Sequence, residues 1–117
     1  MDPRLSFVTI VVRDLARSRA FYIGGLGWPV EFESPDEVVI SRGGGRVVVS
    51  RWLEDGAVGG LGPIGRGQGA PPITLAHNVA TPSDVDRVLA EAIAAGATVA
   101  AAGVQRDWGG YSGYFAD

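Results

Sequence analysis

Arg13-Asp14-Leu15-Ala16-Arg17-Ser18-Arg19-Ala20-Phe21-Tyr22, closed by Leu26-Gly27-Trp28, is the stretch that decides the fold of this chain. It follows an alternating run, Phe7-Val8-Thr9-Ile10-Val11-Val12, which reads as a strand. Val8, Ile10 and Val12 share one side of that strand, and Phe7, Thr9 and Val11 the other. Asp14 suits a helix N-cap, because its carboxylate can accept a hydrogen bond from a backbone N–H that the helix start leaves without a partner. Leu15, Ser18, Tyr22 and Leu26 recur at helical spacing with Phe21 beside them, and small Ser18 lets that face approach a sheet closely. Gly24, Gly25 and Gly27 end the helix, and Trp28 opens the next strand.

Outward from this unit, three short strands are expected over residues 28–33, 37–42 and 46–52. Ser34-Pro35-Asp36 and Gly43-Gly44-Gly45 supply the turns between them. The order so far is β-α-β-β-β. From Leu53 to Pro72 seven glycines alternate with Pro63, Pro71 and Pro72, a composition that disfavours both helix and central strand. This segment is expected to be a linker, with a mobile lid as the alternative. The order then begins again. Residues 73–79 alternate like the first strand, and Thr81-Pro82-Ser83-Asp84 is a strong helix start. Val85, Val88, Leu89, Ala92 and Ile93 form the apolar stripe of that helix, Gly96 ends it, and strands are expected over residues 98–104 and 111–116.

The 117 residues leave room for one domain, and 46% hydrophobic residues are enough for a core. A net charge of −3 with scattered arginines argues against nucleic acid or an anionic membrane surface as partner. The absence of cysteine removes disulfides, thiolate ligands and a thiol nucleophile. No apolar run is long enough to suggest a membrane span, and Met1-Asp2-Pro3-Arg4 does not begin a secretory signal. A soluble, cytoplasmic protein is expected.

The strand-D-L-x-x-S-x-x-F-Y-x-x-x-L-G-W pattern resembles the first strand–helix unit of the vicinal oxygen chelate superfamily, which includes glyoxalases, extradiol dioxygenases and bleomycin-resistance proteins. The resemblance implies an α+β fold of two βαβββ modules, forming cupped mixed sheets with helices on the outer face. It also implies a single glyoxalase-like domain over residues 1–117, with one module at about residues 5–52, the linker at 53–72 and the other module at about 73–117. Relatives continue past the position of Asp117 into a turn and a last strand. The second sheet here is expected to lack that strand, most simply because the sequence is truncated, since its loss exposes an edge.

Metal-dependent relatives hold a divalent ion in the cleft, and the resemblance carries their ligand positions onto Phe7, Thr74 and either Val48 or Ser50, with a fourth beyond Asp117. Phenylalanine cannot coordinate a metal, and a neutral hydroxyl is a poor substitute for imidazole. No metal and no cofactor are therefore expected. His77, the only histidine, has the strand parity of Leu75 and Val79, opposite to Thr74, Ala76 and Asn78, and is expected to pack at a sheet edge. Gly60-Leu61-Gly62-Pro63-Ile64-Gly65 matches G-x-G-x-x-G but has no helix after it, so it is a chance match. Ser112 within Gly110-Tyr111-Ser112-Gly113 lies in a strand, not on the strand-to-helix turn of a nucleophile elbow. Glu31 and Glu33 are expected to face solvent.

The aromatic residues are more informative. With the cleft geometry that the resemblance implies, Phe7, Thr9, Val11, Val48, Ser50, Trp52, Thr74, Asn78, Trp108 and Tyr111 are the candidate ligand-binding residues. Together they give an apolar, aromatic lining with a few polar groups, the usual make-up of an organic-ligand site. The expected function is metal-independent binding of a small apolar or aromatic compound by a homodimer. The alternative is a glyoxalase-like lyase, isomerase or dioxygenase, metal-dependent or metal-free, and no catalytic residue is identified.

Overall fold

A computed structural model describes residues 6–42, 47–68 and 73–117. The expected Gly43-Gly44-Gly45 turn and Pro71 and Pro72 of the expected linker lie outside the described residues. The chain divides into two compact units, Met1–Ile64 and Gly65–Asp117, in an α+β fold.

In the first unit, β1 (Phe7–Val12) leads into α1 (Leu15–Arg19), which widens without a break into a π-helical turn over Ala20–Gly25. Asp14 is the cap: its Oδ1 accepts from Arg17 N at 2.8 Å. Leu26 N donates to Phe21 O at 2.9 Å, and Gly27 then takes φ +68°, which glycine adopts without strain. Three strands follow, β2 (Val30–Ser34), β3 (Val38–Arg42) and β4 (Val48–Leu53), each within about two residues of its expected bounds. The sheet order is β1-β4-β3-β2, with β1 and β4 parallel and the other pairs antiparallel.

Register fixes the faces. Ile10, Arg51 and Val39 are cross-strand neighbours, as are Val8, Val49 and Ser41, and this side of the sheet receives α1. Leu15, Ser18 and Phe21 are buried there with Val39. Phe7, Thr9 and Val11 of β1 pair with Val48, Ser50 and Trp52 of β4 on the opposite side.

The glycine-rich segment after β4 departs from expectation: Glu54–Leu61 form α2. Each interior glycine weakens a helix by about 1 kcal/mol, so composition alone argues against it. Tertiary contact decides otherwise. Gly56 and Gly60, one turn apart, lie against the Trp52 indole, where a Cβ on Gly56 would stand 2.9 Å from Nε1. Ala57 is fully buried. The absence of side chains is what lets the helix lie on the ring.

In the second unit, α3 (Pro82–Ala94) packs on a two-stranded antiparallel sheet of β5 (Thr98–Gln105) and β6 (Tyr111–Ala116). Thr81 caps α3: its Oγ1 accepts from Asp84 N at 3.2 Å and donates to Asp84 Oδ2 at 2.7 Å. Leu89 and Ala92 are the buried residues of the helix. Gly113 lets it close on β6, since a Cβ there would lie 2.6 Å from Leu89 Cδ1.

Residues 73–79, expected as a strand, join no ladder among the described residues. In the first unit the opening strand pairs with the fourth, β1 with β4. The second unit has only counterparts of the second and third strands, β5 and β6, among its described residues, so residues 73–79 lack the fourth strand that β1 pairs with in the first unit. Alternation proposes a strand; a neighbour is needed to make one.

Candidate functional site

On the first unit, the face turned away from α1 brings together six of the ten expected ligand-binding residues. Phe7 sits beside Val48, Thr9 beside Ser50 and Val11 beside Trp52. Val48 and Ser50 are buried, whereas Phe7 is 56% exposed. The half-buried Trp52 indole closes one end beneath α2. Carbon and hydroxyl groups therefore dominate this face.

These residues do not fit a metal ion. Phe7 and Val48, neighbours on adjacent strands at two of the ligand positions that the family pattern assigns, carry no donor atom, and Ser50 offers only a neutral hydroxyl. Among the described residues no group of three His, Asp or Glu side chains could hold a cation.

Behind this face, on the α1 side, lies a group that sequence reasoning missed. Arg51 is fully buried. Its Nη2 donates to Ser41 Oγ at 2.7 Å and its Nη1 to Val49 O at 3.2 Å. The guanidinium lies 5.0 Å from the centroid of the Tyr22 ring. Among the described residues no carboxylate pairs with it, and its Nε and the Ser18 hydroxyl are buried with no hydrogen-bond partner. Burial pulls the guanidinium below its usual pKa, an effect that Tyr22 partly offsets. An arginine in a strand of valines was the available signal. Glu33 reaches Arg19 of α1 at 2.8 Å and Glu31 reaches Arg42 at 2.5 Å, so both expected solvent-facing carboxylates form surface ion pairs.

On the second unit the expected residues disperse. Thr74, His77 and Asn78 are exposed in the unladdered segment, so His77 does not pack at a sheet edge. Tyr111 faces α3, where its hydroxyl donates to Asp86 Oδ1 at 2.9 Å; that bond holds the phenol above its usual pKa. Tyr111, Gln105 and Val85 line a shallow pocket of about 240 Å³ at the start of α3, smaller than most ligand sites. Trp108 is 75% exposed in the β5–β6 turn, and its ring occupies the space where a Gly110 side chain would be.

On the other face of β6 lies the side chain of Arg106, which was not singled out from sequence. Arg106 Nε donates to Ser112 Oγ at 2.9 Å and Nη2 to Ser112 O at 3.1 Å, with the Tyr114 ring centroid 5.8 Å from the guanidinium carbon. Ser112 thus accepts from a cation. The glycine motif at 60–65 ends α2, with Gly62 at φ +82°, and begins no helix.

The model of the Glyoxalase/Bleomycin resistance protein/Dioxygenase superfamily matches residues 4–117. Among solved structures, a glyoxalase-related enzyme from Fulvimarina pelagi is 27% identical with a TM-score of 0.85, over 98% of this chain and 81% of that one. A glyoxalase/bleomycin resistance protein/dioxygenase from Nocardioides is 19% identical with a TM-score of 0.81, over 99% and 77%. A lactoylglutathione lyase from Agrobacterium tumefaciens is 19% identical with a TM-score of 0.75, over 100% and 87%. The last two likenesses show the fold alone. No curated protein matches the chain. No helix among the described residues is long and apolar enough to cross a membrane.

Proposed function

For a chain that belongs to the Glyoxalase/Bleomycin resistance protein/Dioxygenase superfamily, we propose metal-independent binding of a small apolar or aromatic compound. The binding face is that of Phe7, Thr9, Val11, Val48, Ser50 and Trp52 on the first unit. The protein acts as a cytoplasmic homodimer and takes up neither nucleic acid nor membrane.

One observation carries the reading. The family's ligand corner is filled by Phe7 against Val48, side chains that offer dispersion and area to an organic molecule and no lone pair to a cation. Thr9 and Ser50, paired on the next rung, add hydroxyls for orientation.

Thermal-shift screening against a broad set of aromatic compounds tests the proposal, because a ligand that binds only the folded state raises the melting temperature. Trp52→Ala is expected to weaken a ligand stacked on the indole by ~1–3 kcal/mol, the range for base–aromatic stacking. An unchanged dissociation constant would place Trp52 outside the site. Stoichiometric zinc, nickel or iron in purified protein would overturn the metal-independent reading. Light scattering that returns a monomer would remove the dimer.

A second reading, a glyoxalase-like lyase, isomerase or dioxygenase, is favoured by the likeness to the Fulvimarina enzyme. Turnover of a hit from the same screen would establish it in place of simple binding.

A further inference from the structure

The face of the β5–β6 hairpin turned away from α3 carries the guanidinium of Arg106. Gly113 approaches Leu89, and Tyr111 bonds Asp86, so these two residues of β6 point at α3. Strand alternation then turns Gly110, Ser112 and Tyr114 to the opposite side. Arg106 shares that side: its N–H donates to Gly110 O at 2.8 Å, making the two cross-strand partners, and its side chain lies along Ser112 and Tyr114. The Trp108 ring fills the side-chain space of Gly110, so it stands beside Arg106 on the same face.

The state of the guanidinium is the informative part. Its Nε and Nη2 edge is spent on the hydroxyl and carbonyl of Ser112. That leaves the Nη1–Nη2 end, the edge that accepts a carboxylate in a fork of two parallel hydrogen bonds. Among the described residues no carboxylate takes it, and Asp107, next in the chain, forms no ion pair with it. Ser112 therefore fixes the orientation of the fork while leaving its end free. The half-exposed Tyr114 ring has its centroid 5.8 Å from the guanidinium carbon, and the exposed Trp108 indole lies over Gly110, the cross-strand partner of Arg106.

We propose that this face binds the carboxylate of a planar aromatic acid, with Arg106 gripping the carboxylate and Trp108 stacking on the ring. The proposal rests on the binding reading above and names its ligand class. Charge complementarity selects the acid over a neutral aromatic, and the flat rings of Trp108 and Tyr114 on the same face as Arg106 select a planar ligand over a branched one.

Calorimetric titration of the full chain with 2-naphthoate and with its neutral amide, 2-naphthamide, tests this without requiring a variant. The acid is expected to bind about tenfold or more tighter, the range for hydrogen bonds to a charged group. Arg106→Met is expected to abolish that preference, Arg106→Lys to keep part of it, and Trp108→Ala to weaken both ligands. Equal affinity for the two ligands, no saturable binding of the acid, or a preference that survives in Arg106→Met would overturn the proposal. Trp52→Ala separates it from the reading beneath it. Equal binding that Trp52→Ala weakens removes the Arg106 assignment and leaves the first unit's face as a binding site. A preference lost in Arg106→Met but untouched by Trp52→Ala sustains Arg106 and removes that face.

Discussion

The Arg51 guanidinium donates to the Ser41 hydroxyl at 2.7 Å, both residues fully buried on the side of the sheet that receives α1. A charge with no described carboxylate beside it makes that bond to a neutral acceptor consequential. Ser41→Ala removes the acceptor and strands a charged donor, so it is expected to destabilise the protein by ~1–3 kcal/mol. Adding Arg51→Met removes the stranded group, and the double variant is expected to recover most of the loss, as buried ions replaced by apolar residues often do. Urea denaturation of the two single variants and the double variant gives the coupling. Additive losses would show that the two residues do not act as a pair.

The glycines of α2 are not equivalent. A Cβ on Gly59 meets open space, whereas one on Gly56 meets the Trp52 indole. Gly59→Ala is expected to stabilise the protein by up to ~1 kcal/mol through helix propensity. Gly56→Ala is expected to lower stability and shift the Trp52 emission as the ring is displaced. Melting curves and fluorescence spectra of both variants check this, and an equal stability gain from the two would mean that α2 does not lie on the ring.

The Thr81 cap joins α3 to an acid-sensitive group. Thr81→Ala is expected to cost about 1 kcal/mol at neutral pH. Hydrogen bonds from Thr81 and then Arg87 hold the Asp84 carboxyl below its usual pKa. A depressed carboxylate contributes stability above its unfolded pKa and loses it as pH falls through the folded one. The difference between wild type and Thr81→Ala should therefore shrink in acid. A difference constant from neutral pH to the acid limb would contradict this.

Tyr111 behaves in the opposite sense at high pH. The bond to Asp86 raises its pKa above the ordinary 10, so the folded state keeps its proton longer than the unfolded chain. Its contribution is complete below the unfolded pKa and is lost as pH rises through the folded one. Asp86→Asn is expected to move the tyrosinate absorbance midpoint of this residue downward, with Tyr111→Phe identifying its share of the signal. A midpoint unmoved by Asp86→Asn would mean that the bond does not hold the phenol.

Much of this was legible in residue order. Asp14 and Thr81 signal helix starts through side chains that can bond only locally, and the alternation of β1 sorts its residues onto two faces before any partner is known. What could not be read depends on partners distant in sequence. The glycines of 54–61 look like breakers until Trp52 is placed under them. Residues 73–79 alternate as well as β1 does, yet find no described strand to bond. Tyr111 was expected in the ligand lining, but the approach of α3 brings Asp86 to its hydroxyl. Arg106 was passed over because nothing nearby in sequence reveals that Ser112 occupies one edge of its guanidinium and leaves another free.

The π-helical turn at Ala20–Gly25 has a bearing on comparisons of chain length. Such a turn holds one residue beyond what an α-helix needs to cover the same rise. A relative with one residue fewer between the positions of Asp14 and Trp28 would keep its strands in step by tightening this turn, and the alignment gap belongs there. The same deletion one turn earlier would rotate Leu15 and Ser18 by about 100°, carrying them off the sheet.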